Sequence, residues 1–328
     1  MLKNNIRKLG YFILSNSLRI RIRLKKIHSS ELLTIINLHR VSENQNSTFK
    51  PMAPDLFEDL IIFCKEKYNI ISFKDLSDNS SINMPSSKPR LIISFDDGYK
   101  DFIKYSMPVL LKHKVKVNQN IIPSCIETGL PPFNVLIQDF IAQAPNDLLS
   151  NLKIPDLKIK DFSDRFSLGF LISKHLKNRS EESRQLMMKK IVPQIEKFKE
   201  MDTVEMMTKD DLVECSKIHE IGIHSYTHAS MNYESDDFFE NDLIECRDWF
   251  NNLLGYYPNI YAFPNGSYKE SQILILKKYK ILHTLLVNNS FSSCENNLHN
   301  RIKYHANTQH EMIFRALGGL ENLDSRPL

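Results

Sequence analysis

Two short segments carry the residue types from which a hydrolytic centre could be built: Ser94-Phe95-Asp96-Asp97-Gly98 and His224-Ser225-Tyr226-Thr227-His228. Adjacent carboxylates on a regular strand point to opposite faces, so Asp96 and Asp97 can serve one centre only where the pleat breaks, and Gly98 is the residue expected to break it. An acidic pair at a strand-to-helix turn can also serve as an N-cap. The two histidines, four residues apart, fall on one side of a helical turn or meet where a strand ends. Two neutral imidazoles and one carboxylate make a facial set for a divalent cation that leaves positions open for water and substrate. A single histidine is more often structural than a ligand, but a spaced pair after a strand, with strand-end carboxylates elsewhere in the chain, points to a metal.

Something must bring these segments together. Leu32-Leu33-Thr34-Ile35-Ile36-Asn37-Leu38 reads as a buried strand delivering His39-Arg40 at its carboxyl end. Leu56, Leu60, Phe63 and Cys64 recur at helical spacing, and Ile70-Ile71-Ser72-Phe73 reads as a further strand. Arg90–Phe95 then runs into the acidic pair, a helix is expected over Phe102–Lys112, and Val115, Val117, Gln119 and Ile121 alternate as a strand. Strands that alternate with helices predict a parallel sheet or barrel with its functional groups at the carboxyl ends of the strands. Residues 131–208 break the rhythm and read as a lysine-rich, mainly helical insertion, a lid or lobe. Strands resume at Glu220–His224, Ile260–Phe263 and Ile281–Val287, with a helix between the first two that starts after Ser235 and stops at Gly255. Trp249, the single tryptophan, is expected in the core.

Composition narrows the class. With 328 residues, 42% hydrophobic and 25% charged, the chain is long enough for a large globular domain. No apolar run approaches the roughly 18 residues of a membrane span, and no signal-peptide pattern precedes the basic stretch, so the expected address is cytoplasmic. Residues 1–30 are read as a separate basic amphipathic segment, and 31–328 as the catalytic domain. Lys3, Arg7, Lys8, Arg19, Arg21, Arg23, Lys25 and Lys26 all precede the first acid, Glu31, and interleave with apolar residues. Residues 1–28 could thus lie on an anionic membrane surface, or form an ordinary solvated helix. Elsewhere no basic stripe with interleaved aromatics points to nucleic acid. Five scattered cysteines, with no CxxC pair, suggest neither a disulfide framework nor a thiolate zinc site.

In order, spacing and context these motifs resemble the polysaccharide deacetylase family, the NodB-like carbohydrate esterases. The acidic segment is similar to that family's Thr-Phe-Asp-Asp-Gly motif, and the histidine segment matches its His-Ser/Thr-x-x-His. Leu38-His39-Arg40-Val41, Tyr261-Ala262-Phe263-Pro264-Asn265-Gly266 and Asn300-Arg301-Ile302 resemble further family segments. The resemblance implies a distorted (β/α) barrel of about seven strands. It also implies Asp97, His224 and His228 as ligands of one divalent metal, Zn²⁺ foremost with Co²⁺, Mn²⁺ or Ni²⁺ as alternatives, and Asp96 as general base. A bound Zn²⁺ lowers the pKa of its water from 15.7 to about 7, a neighbouring carboxylate can then take the proton, and a histidine is the natural donor to the leaving amine. His283 and His305 are the candidates for that donor. Tyr261 stands where relatives carry an arginine that orients the base, which makes Arg301 the candidate substitute. Asn265 replaces a usual aromatic, and His39, Tyr261, Pro264, Asn265 and Arg301 are the expected pocket residues. The implied substrate is an N-acetyl or N-formyl amino sugar in a glycan or a lipid-linked precursor. A degenerate glycan-binding or scaffold protein and a metallophosphoesterase are the alternatives.

Overall fold

The structure is a computed structural model that describes residues 9–78, 86–159, 163–319 and 321. Lys3, Arg7 and Lys8 of the basic start therefore lie outside the described residues. The strands are β1 (Leu32–Leu38), β2 (Asn69–Ile70), β3 (Arg90–Asp97), β4 (Asn118–Ile121), β5 (Glu220–Ile223), β6 (Ile260–Ala262), β7 (His283–Leu285), β8 (Ser292–Ser293), β9 (Leu298–His299) and β10 (Ile302–Lys303). The longer helices are α1 (Ser17–Ser29), α2 (Pro54–Lys67), α3 (Met107–His113), α4 (Phe133–Gln143), α5 (Arg165–Lys177), α6 (Glu181–Ile195), α7 (Lys209–Ser216), α8 (Asp236–Leu254), α9 (Glu270–Lys278) and α10 (Gln309–Ala316).

The sheet runs β10-β1-β3-β4-β5-β6-β7-β9, with β2 beside β3 and β8 beside β1. Every pairing along that path is parallel, and only β8 runs antiparallel to its neighbour. Only Asn300 and Arg301 separate β9 from β10 in the chain, so the two ends of the path lie beside each other. The result is the expected distorted (β/α) barrel, nearly closed, with eight strands on its path. Strands flanked on both sides bury both faces, which is why β1 is buried at all seven positions. Helices coat the outside: α2 buries Phe57, Leu60, Ile61, Phe63 and Cys64, and α8 buries Phe239, Leu243, Cys246 and Phe250. Each such side chain contributes about 1.5–3 kcal/mol when fully buried. Ser235 caps α8 by accepting from the Phe238 amide, and Gly255 ends it at φ 78°.

Between β4 and β5, helices α4, α5 and α6 gather their own apolar cluster, with Ile137, Phe140, Ile172, Met187 and Ile191 at its centre. Three details differ from the sequence expectation. Ser72 and Asp75 form a capping box, so Phe73 opens a one-turn helix rather than ending a strand. The helix expected from Phe102 begins as a wider π turn over Phe102–Ser106 before α3. Trp249 is only partly buried, because its indole N–H reaches the Glu127 carboxylate at 2.9 Å.

Candidate metal centre

Register places the motif residues at one level. Asp97 pairs with Ile121 across β3 and β4, and Ile121 pairs with Ile223 across β4 and β5, so His224, one residue further, emerges beside Asp97 at the carboxyl end. Leu38 pairs with Phe95, which brings His39 to the level of Asp96. The pleat breaks at two consecutive residues, since both Asp97 (φ 80°) and Gly98 (φ 84°) are left-handed. Ser225 (φ 59°) and His228 (φ 61°) do the same in the histidine turn. A non-glycine residue held there costs of order 1–3 kcal/mol, and the concentration of such residues in these two turns marks backbone shaped for side-chain placement.

Asp97, His224 and His228 converge, with one ligand atom from each lying within 4.8 Å of the others, all three residues buried. The Asp97 Oδ1 atom stands 3.4 Å from His224 Nε2 and 3.7 Å from His228 Nε2, yet accepts no hydrogen bond. His224 Nδ1 lies 2.7 Å from the Ala262 carbonyl, which requires the proton on Nδ1 and leaves the Nε2 lone pair facing the cluster. A buried, orphaned carboxylate oxygen between two imidazoles fits a cation that would replace the missing hydrogen bond. Burial would raise the Asp97 carboxyl, but its contact with His224 and the nearby His228 hold it well below the usual range.

The other Asp97 oxygen is satisfied by Tyr99, whose hydroxyl donates to Oδ2 at 2.7 Å. Tyr99 was not singled out by the motif, although it follows Gly98 directly. Because outer partners of ligating carboxylates tune affinity, Tyr99→Phe should weaken divalent-metal binding by about 10–100-fold, measured by competition against a chelating dye.

Asp96 is held quite differently. Arg301, fully buried, donates Nη1 to Oδ1 at 2.7 Å and Nη2 to Oδ2 at 2.9 Å. Asn120 adds a bond to Oδ1 at 2.8 Å, and Asn37 one to Oδ2 at 2.9 Å. Burial alone would raise this carboxyl, but the Arg301 charge, followed by those of His224 and His39, holds it well below its ordinary value. It is therefore ionised, oriented by four hydrogen bonds, and 4.0 Å from His224 Nε2. Arg301 is thus Asp96's partner from beneath rather than a pocket-lining residue. Asn37 carried one available signal, as a buried amide in the mainly apolar β1, and Asn120 another, as one of three polar residues in the fully buried β4.

Two further residues hold the histidine turn from behind. Arg184 of α6 donates to the His228 carbonyl at 3.0 Å and the Thr227 carbonyl at 2.9 Å. Asp242 of α8 accepts from the Ser225 hydroxyl and the Tyr226 amide, both at 2.9 Å. Burial pushes the Asp242 carboxyl up to about 7 despite those donors. A carboxyl whose folded pKa is raised favours the folded state below its unfolded value and loses that advantage as pH rises to the folded one. Stability should therefore fall between about pH 4 and 7, and Asp242→Asn should flatten that slope in urea titrations by on the order of a few kcal/mol.

The remaining sequence candidates separate. His283 pairs with Ile260, the first residue of β6, so it sits at the amino end of the barrel, bonded to Ser77 and His299. The Asp97, His224 and His228 group lies at the opposite, carboxyl end, so His283 is far from it. Tyr261 is fully buried among Phe239 and Phe263 and belongs to the core, not the pocket. Pro264 is buried in a short turn, and Asn265 (φ 58°) bonds the Ser230 hydroxyl just past the histidine turn. His39 and His305 line one cavity of about 350 Å³. His39 feels the charges of Asp97 and Asp96, whereas the charged neighbours of His305 are Glu311, Arg315 and Lys303.

Comparison with known proteins places this arrangement. Residues 169–284 match the family model described as polysaccharide deacetylase, a stretch that contains both histidines but not the acidic pair. Among solved structures, the Streptococcus pyogenes deacetylase PplD superposes with a TM-score of 0.56 at 17% identity, covering 87% of this chain and 98% of that one. The fold is that of the polysaccharide deacetylases. A de-N-acetylase from Aggregatibacter actinomycetemcomitans gives a TM-score of 0.56 at 13% identity, with 87% of this chain and 99% of that chain covered. For IcaB from Ammonifex degensii the values are 0.55 and 12%, with 88% and 97% covered. No curated protein matches the sequence. The resemblance of the motifs to NodB-like deacetylases is thus shown in the fold.

Proposed function

We propose that this protein removes an N-acetyl or N-formyl group from an amino sugar, with one divalent cation, Zn²⁺ foremost, held by Asp97, His224 and His228. The observation that carries this reading is the orphaned Oδ1 of Asp97 between two imidazole Nε2 atoms, beside a second carboxylate locked in place by Arg301. When bound, the cation acidifies water and polarises the acyl carbonyl. Asp96 supplies the base: permanently ionised and fixed in orientation, it accepts the proton of the attacking water. So strongly stabilised a carboxylate is a weak base, which suffices where the water is already acidified. His39 is the proton carrier to the leaving amine, because it stands at the level of Asp96 on the adjacent strand and opens onto the cavity. PplD was solved with acetate, the product such a reaction would release.

Residues 31–328 are read as one catalytic domain, with α4–α6 as a lobe over its carboxyl end. The substrate is assigned to a glycan or a lipid-linked precursor handled in the cytoplasm. Unpaired cysteines suit a reducing compartment. No helix among the described residues is long and apolar enough to cross a membrane. Exposed Leu18 and Ile22 on α1, among Arg19, Arg21, Lys25 and Lys26, support contact with an anionic leaflet.

The test is acetate and formate release from N-acylated amino sugars by the metal-loaded protein. Release should fall by at least about 10²-fold in Asp96→Asn and His39→Gln. Metal binding without acyl release from any such sugar would favour a glycan-binding role, and inorganic phosphate release from phosphate esters a phosphoesterase.

A further inference from the structure

Beside the metal centre, the cavity of about 350 Å³ is walled by His39, Phe49, Lys50, Phe166, Lys303 and His305, among others. Two of its cations are already neutralised: Arg40 by Asp101 at 2.8 Å and Arg315 by Glu311 at 2.9 Å. Lys50 and Lys303 make no ion pair among the described residues. A third lysine, Lys177 at the end of α5, lies outside the lining but close enough to Lys303 to feel its charge, and likewise makes no ion pair among the described residues. Lys177 and Lys303 repel each other, and both act on the metal-site residues, Lys177 on His228 and Lys303 on His39. The nearby acids relieve this repulsion only in part, since Asp96 is committed to Arg301 and Asp97 lies between the two histidines.

Like charges gathered from separate elements around a concave space, with no counter-ion of their own, form a site for an anion. We propose that this cavity receives an anionic group of the substrate, a phosphate or carboxylate carried by the acylated amino sugar, held by Lys303 and Lys50 on the barrel side and Lys177 on the lobe side. The proposal rests on the hydrolytic reading for the identity of the substrate, but anion binding is separable from turnover. Burial draws the Lys177 ammonium down to about 8, partly offset by Asp97, and an arriving anion would restore its charge. Phe49 and Phe166 supply the apolar wall against which a sugar ring would lie.

The metal-loaded full chain would be assayed on an N-acetylated amino sugar, on its 1-phosphate, and on an N-acetylated oligosaccharide bearing a hexuronate. The kcat/KM for an anion-bearing substrate should exceed that for the neutral sugar by about tenfold or more, as one charge-assisted contact allows. That ratio should fall towards one in Lys303→Gln and in Lys177→Gln. Preference confined to the 1-phosphate would identify a phosphate as the recognised group, and preference confined to the hexuronate a carboxylate. Independently of turnover, inorganic phosphate should raise the Tm of the wild type more than that of Lys303→Gln, a substitution at an exposed side chain that leaves the core untouched. Phosphate protection lost in Lys303→Gln without acyl release from any sugar would uphold the anion site while the hydrolytic reading fails. Acyl release with no preference for anionic substrates, and equal phosphate protection in both proteins, would overturn the anion site and leave hydrolysis standing.

Discussion

Arg301→Met is expected to lower the free energy of unfolding by about 3–5 kcal/mol, because it strands a buried carboxylate that has lost its charged partner. Arg301 is fully buried and also binds Ser94, Asn37 and the Leu286 carbonyl, so its removal empties the centre of a network rather than cutting one bond. Chemical denaturation read by tryptophan fluorescence and circular dichroism would measure the loss. Acyl release should collapse in the same variant. Asp96 would move towards its ordinary pKa or above once burial is no longer opposed by the guanidinium, and would lose its orientation. Arg301→Lys should rescue neither fully, since a point-charge ammonium cannot satisfy two carboxylate oxygens at once.

The second large effect concerns the cation. Asp97→Asn and His228→Ala should each reduce bound Zn²⁺ from near one equivalent to a small fraction, measured by elemental analysis after dialysis against a weak chelator. Ligand sets of three tolerate the loss of one poorly, and the carboxylate contributes the charge that two neutral imidazoles lack. Asp96→Asn should keep its metal, because Asp96 spends its oxygens on Arg301, Asn37 and Asn120. A difference between the two aspartates in metal content, with acyl release lost in both, is what the division of labour requires.

The motif residues were legible because their chemistry is local: a strand that ends in Asp-Asp-Gly, and a histidine pair four residues apart after a strand. The parallel order of strands followed from their alternation with helices. What sequence could not supply was register. Arg301 meets Asp96 only because β10 returns to pair with β1, and nothing within either segment encodes that encounter. His283 looked as suitable as His305 for proton transfer until pairing with Ile260 put it at the far end of the barrel. Tyr261 had the position of an orienting residue by motif, yet its ring packs against Phe239 and Phe263, and the orienting charge comes from another strand. Support from Arg184 was invisible for the same reason, since a lobe residue reaches the histidine turn only after the chain has folded back.

Hydrolysis at this site requires one cation seated between the Oδ1 of Asp97 and the Nε2 atoms of His224 and His228. A crystal structure of the Zn²⁺-soaked protein, with data collected on both sides of the zinc absorption edge, tests this directly. A single anomalous peak about 2.0–2.2 Å from each of those three atoms, with Asp96 outside the coordination shell, is the predicted result. No peak there, or a peak coordinated through Asp96 in place of Asp97, would contradict it.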